Sequence, residues 1–179
     1  MRERVFLFDP ADRFVLGTVG LPGERTFFIQ IQQGNRLLSL SLEKSQAQAL
    51  ADRLSAMLRE LRQNYPLLVI DRRTRDDAPL QTPIEEEFRI GLIGIVYDEA
   101  KEAIQIELQK LLDSSIDIQT EESSDDQDLA RVWIHPSQAF HFVDRAKAVI
   151  NAGRLPCPFC GGPIDSSGHL CPRANGYRR

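Results

Sequence analysis

Cysteine is scarce in this chain, three among 179 residues, and all three fall within the last 23. A disulfide framework would leave one thiol unpaired, so a reducing compartment, the cytoplasm, is the expected setting. Long apolar runs are missing as well. None approaches the roughly 20 residues that a membrane-spanning helix needs. The opening stretch, Met1-Arg-Glu-Arg-Val-Phe-Leu-Phe-Asp9, meets charge too early for the apolar segment of a secretory signal, and none is expected. Nor is there a surplus of positive charge. Twenty-two basic residues against 26 acidic ones leave a net charge of −4, which argues against binding nucleic acid over the whole surface. What remains is 42% hydrophobic and 27% charged, which excludes wholesale disorder. The length suffices to bury a sizeable core, as one domain or two small ones.

The chain contains an internal repeat. Phe14-Val-Leu-Gly17-Thr-Val-Gly20 recurs as Phe88-Arg-Ile-Gly91-Leu-Ile-Gly94, an F-x-x-G-x-x-G pattern displaced by 74 residues. Phe27-Phe-Ile-Gln30-Ile-Gln32 aligns with Glu102-Ala-Ile-Gln105-Ile-Glu107 at a displacement of 75. Leu40-Ser-Leu-Glu-Lys-Ser45-Gln46-Ala47 aligns with Val132-Trp-Ile-His-Pro-Ser137-Gln138-Ala139 at 92, and Asp52-Arg53 with Asp144-Arg145. The jump from 75 to 92 places an insertion of 17 residues in the second copy, and the acidic, polar stretch over 113–128 supplies its content.

Each copy reads as strands followed by a helix. Ile29 and Ile31, then Leu38, Leu40 and Leu42, alternate with polar residues at the period of a half-buried antiparallel strand, as do Ile104, Ile106, Leu108, Val132 and Ile134. Apolar stripes at helical spacing follow Ser45 and Ser137, two natural N-caps. The expectation is an α+β fold of two tandem strand-rich repeats, antiparallel strands then one helix each, packed helix on sheet as a pseudo-twofold pair. Its parts are repeat 1 over 1–70 with a helix at 45–63, a surface linker over 71–87, repeat 2 over 88–153 with a helix at 137–152, and a tail over 154–179.

The three cysteines lie in that tail, in Cys157-Pro-Phe-Cys160-Gly-Gly-Pro-Ile-Asp-Ser-Ser-Gly-His169-Leu-Cys171. Four thiolate and imidazole donors within 15 residues are the number and type that a tetrahedral zinc ion takes, so Cys157, Cys160, His169 and Cys171 are the expected ligands. A redox Cys-x-x-Cys pair opens a helix, whereas Gly161-Gly162-Pro163 does not readily start one. Four strong ligands close the coordination shell, so the zinc is read as structural. It would supply folding energy, about 10–16 kcal/mol in small zinc peptides, to a tail too poor in apolar residues to hold a core. Residues 151–179 carry four arginines against Asp165, a formal +3, and zinc with three thiolates leaves the loaded tail only mildly positive.

Other motifs carry less. The paired F-x-x-G-x-x-G segments are flanked by β-formers and lead into another strand, so bulges or close packing explain the glycines better than phosphate binding does. Ser137, His141 and Asp144, with His135 just upstream, share one helix face, where side chains rarely converge on one reacting atom. Trp133 is expected in a packing role at the interface between the repeats. Arg173-Ala-Asn-Gly-Tyr177-Arg-Arg179 reads as a solvated terminus. No catalytic residue is assigned.

Arg13-Phe-Val-Leu-Gly-Thr-Val-Gly-Leu-Pro-Gly23, Glu87-Phe-Arg-Ile-Gly91 and the Cys-Pro-Phe-Cys … Gly-His-Leu-Cys-Pro-Arg-Ala-Asn-Gly-Tyr-Arg178 tail resemble an uncharacterised bacterial repeat-protein family of unknown function, found mainly in Actinobacteria and related lineages. The likeness covers essentially the whole chain. It implies no activity, and the zinc site follows from ligand spacing instead. The expected role is a non-enzymatic, zinc-stabilised protein-binding or regulatory module with a protein partner. A nucleic-acid-binding protein is the alternative that net acidity disfavours. An enzyme with a site at the inter-repeat interface, using His135, His141 and Asp144, is the alternative that lacks a catalytic constellation.

Overall fold

The computed structural model describes residues 4–21, 24–73, 75–112, 128–152, 157–161, 164 and 169–174. They form an α+β structure: β1 Val5–Phe8, β2 Arg13–Val19, β3 Thr26–Gln33, β4 Arg36–Leu42, α1 Lys44–Asn64, β5 Glu86–Asp98, β6 Ala103–Lys110, β7 Leu129–Ile134 and α2 Pro136–Asn151. The insertion expected at 113–128 lies outside the described residues except for Asp128, which pairs with Arg4.

All seven strands join one sheet in the order β1-β7-β6-β5-β4-β3-β2. The β4–β5 and β1–β7 pairs are parallel and the others antiparallel. β1 and β2 therefore lie at opposite edges although only residues 9–12 separate them. Six strand spacings in a flat sheet would put those edges about 29 Å apart. Five residue steps span at most about 18 Å. The sheet consequently rolls up until its edges meet at this connection. The Ala11 N–H donates to the Trp133 carbonyl of β7 at 2.9 Å, and the Asp12 N–H to the Gln32 carbonyl of β3 at 2.8 Å.

One continuous core results. Leu16, Ile29, Leu40, Ile106, Val132 and Phe8 from the strands join Leu54 of α1 and Phe142 of α2. The two helices pack on each other, and α2 also packs on β2 at the far edge of the sheet, which the rolled shape brings within its reach.

The strands are more deeply covered than alternation predicts. Gln30, Ser39 and Ser41 are buried alongside their apolar neighbours; Gln81 lies against Gln30, and Ser41 Oγ donates to Glu86 Oε1 at 2.8 Å. Gln30 Nε2 donates to Ser39 Oγ at 3.2 Å and to the Gln81 carbonyl at 2.8 Å, and the Gln81 N–H donates back to Gln30 Oε1 at 2.8 Å. Each buried polar group thus keeps a partner. Leu80 presses on Gly17, where a Cβ would meet its Cγ at 2.5 Å. Gly91 lies at the register shift in the β5–β6 pair, where a Cβ would meet the Leu111 Cα at 2.8 Å. Close approach thus demands both glycines.

Two details of the expected repeat change. Ser45 and Ser137 are not the N-caps. Glu43 and His135 hold that position in extended conformation, because Gln46 and Gln138, three residues into each helix, turn back to accept from their N–H groups at 2.9 and 2.8 Å. In addition, Phe14 and Phe88 do not hold corresponding places. Phe14 faces Ile31 across an antiparallel pair, whereas Phe88 faces Leu40 across a parallel one. The residue that stands to β7 as Phe88 stands to β4 is Phe8, opposite Val132. The physical reason is that β5 runs 13 residues unbroken, pairing first with β4 and then with β6, while the run from Val5 to Val19 is interrupted at residues 9–12.

Leu54, with no exposed surface, packs α1 into this core. Leu54→Ala is expected to lower the unfolding free energy by about 2–5 kcal/mol in urea titrations, the cost of lost burial plus the cavity left behind.

Candidate metal centre

Cys157 begins a turn closed by the Gly161 N–H donating to the Cys157 carbonyl at 2.8 Å. Gly161 has φ +73, a left-handed conformation that glycine adopts without a Cβ penalty. This turn aims the backbone amides of Cys160 and Phe159 at the Cys157 sulfur. The amide of Cys160 is the larger influence, and together they hold the Cys157 thiol below its ordinary pKa against the opposing effect of desolvation. The Ala174 N–H points at Cys171 Sγ in the same way, at 3.4 Å.

The four expected ligands converge. Sγ of Cys157, Cys160 and Cys171 and a ring nitrogen of His169 all lie within 4.8 Å of one another. Cys157 Sγ and Cys171 Sγ are 3.8 Å apart, and Cys160 Sγ is 3.4 Å from His169 Nε2. A tetrahedron with zinc–sulfur bonds of about 2.3 Å has edges of about 3.8 Å. A disulfide would need about 2.05 Å, and none of the three cysteines forms one. Cys157 and Cys171 are buried while Cys160 and His169 are half-buried, so the donors face inward. Soft thiolates and one imidazole at these separations fit a closed tetrahedral metal site.

Two large apolar side chains sit beside these ligands and face solvent, Phe159 at 64% and Leu170 at 88% exposure. Arg173 Nη1 donates to the Phe159 carbonyl at 3.1 Å and ties the two halves of the loop together. Tyr177, Arg178 and Arg179 lie outside the described residues.

The residues of the enzyme alternative are not brought together. His135 caps α2, its Nδ1 accepting from the Ser137 N–H at 3.1 Å. Ser137 Oγ accepts from the Asp71 N–H at 2.9 Å. Asp144 faces outward, 3.6 Å from Arg75. Trp133 is buried on β7, with Nε1 donating to Asp98 at 3.2 Å and Lys101 Nζ over its ring.

His141 instead lines a different cavity of about 250 Å³ with Arg13, Asp76 and Arg145. Its Nε2 is buried with no hydrogen-bond partner among the described residues. Arg13 grips Asp76 through two bonds, at 2.5 and 2.9 Å, and Arg145 donates to the carbonyls of Leu16, Asp76 and Ala78 at 2.7, 2.5 and 2.8 Å. The hydrogen bonds from Arg13 hold the Asp76 carboxyl below its usual pKa, and burial pulls the Arg145 guanidinium down from its own. These groups strap the segment after α1 onto β2 and α2. Sequence reading missed the strap because its members lie 63 to 69 positions apart.

A carboxyl whose folded pKa is lowered adds stability that is complete at neutral pH and is lost as pH falls from about 4 through the folded value. Asp76→Asn is therefore expected to unfold at lower urea than the wild type at pH 7, with the difference shrinking below about pH 4. An equal difference at pH 7 and pH 3 would contradict the strap.

Among the described residues, no helix is long and apolar enough to cross a membrane. No curated protein and no solved structure matches the chain. One family model does match, from residue 6, at the start of β1, to residue 171, the last of the four candidate metal ligands. With that span covered, the chain belongs to the family described as protein of unknown function (DUF3090).

Proposed function

We propose that this chain is a non-enzymatic, zinc-stabilised protein-binding or regulatory module of the cytoplasm, with its metal-held tail as the recognition element. The observation that carries the reading is the convergence of Cys157, Cys160, His169 and Cys171 within 4.8 Å. Zinc is favoured because three thiolates and an imidazole match its softness and it accepts tetrahedral geometry without preference. Four protein donors leave no coordination position for water, which favours a structural role over a hydrolytic one. A metal-fixed backbone then presents Phe159 and Leu170 as a rigid apolar pair. Side chains held on such a frame lose little conformational freedom on docking, which favours them as anchors in a partner's pocket.

The scaffold reading is a pair of units related by a pseudo-twofold axis. It is supported by the order strand, strand, strand, helix, which occurs twice, and by matched anchors. Gln46 Nε2 donates to the carbonyls of Ile90 and Gly91 at 3.1 and 3.0 Å, and Gln138 Nε2 to those of Ala11 and Asp12 at 2.8 and 3.3 Å.

Two experiments test the proposal. Elemental analysis of the purified full chain should find zinc at one ion per chain. Cys171→Ser should lose it, and the affinity should fall as pH drops because thiolates must be free of protons to bind. Metal-free protein, or another metal at full occupancy, would overturn the cofactor assignment. In affinity capture from the native cytoplasm, the wild type should return a stoichiometric protein partner. The Phe159→Ala, Leu170→Ala double variant should keep its zinc and lose that partner. Undiminished capture by the double variant would remove the recognition role from the tail.

A further inference from the structure

A second cleft, which includes none of the metal ligands, lies where α1 and α2 pack together beside the segment that follows α1. It has a volume of about 170 Å³. Its floor is apolar: Leu58 and Val143 are buried, with Phe140 and Ile70 half-buried beside them. Its rim is cationic, with Arg59, Arg62, Arg72 and Lys147 all exposed and lining the same opening. Asp144 is the one acid among the lining residues, and Arg75 stands 3.6 Å from it. In a protein of net charge −4, four cations around one small opening are an uneven distribution.

Their surroundings do not account for the clustering. Among the described residues none of the four rim cations has a carboxylate within ion-pair distance. Arg59 reaches only Ser55 Oγ, at 3.4 Å, and Arg72 lies over the Phe140 ring at 5.3 Å. Mutual repulsion of four like charges is relieved by an anion more than by water, and forked guanidinium groups suit a phosphoryl group in particular. Several cations around one point suit a dianion better than a monocarboxylate. The floor completes the specification, because a flat apolar substituent attached to that anion would displace water from Leu58, Val143 and the edge of Phe140. The small volume distinguishes the cleft from the extended basic stripe that tracks a nucleic-acid backbone.

We propose that the cleft between α1 and α2 binds a small organic phosphate monoester carrying an aromatic or similarly flat apolar group. The phosphoryl group is held by Arg59, Arg62 and Lys147 on the facing helices, and the ring lies on the floor next to Phe140 under the Arg72 guanidinium. This site is independent of the metal-held tail, so neither reading depends on the other.

Phenyl phosphate is the probe, titrated calorimetrically into the zinc-loaded full chain at low ionic strength, with inorganic phosphate and benzoate as comparators. Phenyl phosphate should bind saturably and about tenfold or more tighter than either, since each comparator lacks one of the two contacts, worth about 1.4 kcal/mol per tenfold. Added salt should weaken it. Arg62→Ala and Lys147→Ala, both at exposed positions, should each weaken binding by about tenfold, the loss of a charge-assisted contact. Arg53→Ala, an exposed cation that lines a different cleft on α1, should leave it unchanged. Phe140→Leu should narrow the gap between phenyl phosphate and inorganic phosphate while sparing the latter. The proposal fails if phenyl phosphate gives no saturable binding, or if either comparator binds as tightly. It also fails if Arg53→Ala weakens binding as much as Arg62→Ala, or if the protein binds anionic lipid vesicles and ignores phenyl phosphate. Circular dichroism of each variant separates loss of a contact from loss of the fold, and the wild-type comparison stands without any variant.

Discussion

Residues 9–12 connect the two edges of a seven-stranded sheet, and that short connection imposes the curvature on which the other features depend. Edges that a flat sheet would hold far apart are drawn to one place, where Ala11 bonds to β7 and Asp12 to β3. Rolling the sheet encloses Leu16, Ile29, Ile106 and Val132 on its inner side and lets α2, which follows β7, reach across to β2. Once α2 lies there, α1 packs beside it, and the cationic cleft is the groove between them. A longer connection at residues 9–12 would remove the constraint and with it the reason for the two helices to meet.

How much of this was legible depended on sequence distance. The helices were readable because their apolar stripes repeat within a few turns, and those expected at 45–63 and 137–152 run Lys44–Asn64 and Pro136–Asn151. The cluster of Cys157, Cys160, His169 and Cys171, positioned to hold a metal ion, was readable for the same reason, since four potential ligands within one short stretch need no tertiary knowledge to be picked out. The caps were misplaced because serine is a strong capper in isolation, whereas the glutamine three positions into each helix chose the residue it bonds back to. The match of Phe14 to Phe88 followed a local pattern, and register is set instead by neighbouring strands that the pattern does not include.

Burial of Gln30, Ser39 and Ser41 was illegible for a related reason. Strict alternation of polar and apolar residues signals one wet face, and that face would be wet if the segment after α1 were a free linker. Its charge and prolines suggested a linker lying on the surface. Yet Gln81 supplies hydrogen bonds to a buried glutamine, and Leu80 fits the gap left by Gly17, so a polar face is covered without stranding its polar groups. Leu80 and Gln81 cover this face although most of the segment after α1 is exposed.

Comparing the two clefts beneath the helix starts shows why charge gathers on one side. The cleft at Gln46 is walled by Leu92, Ile93 and Ile95 with the exposed Arg53 as its one charged residue, and the one at Gln138 by Arg13, Phe14, Asp76, His141 and Arg145. Both helices begin with the same back-bonded glutamine, so the local architecture is alike. The difference lies in what passes overhead. The chain leaving α1 has to be carried past β2 before it enters β5, and an irregular segment packs through its carbonyls, which need donors. Arg145 and Arg13 are those donors, and Asp76 offsets their charge in a place too dry for two bare guanidinium groups. Where no such segment crosses, aliphatic side chains suffice. Charge beneath the start of α2 therefore marks a place where irregular backbone is held against the body, whereas among the described residues the arginines and lysine of the rim between α1 and α2 donate to no backbone carbonyl.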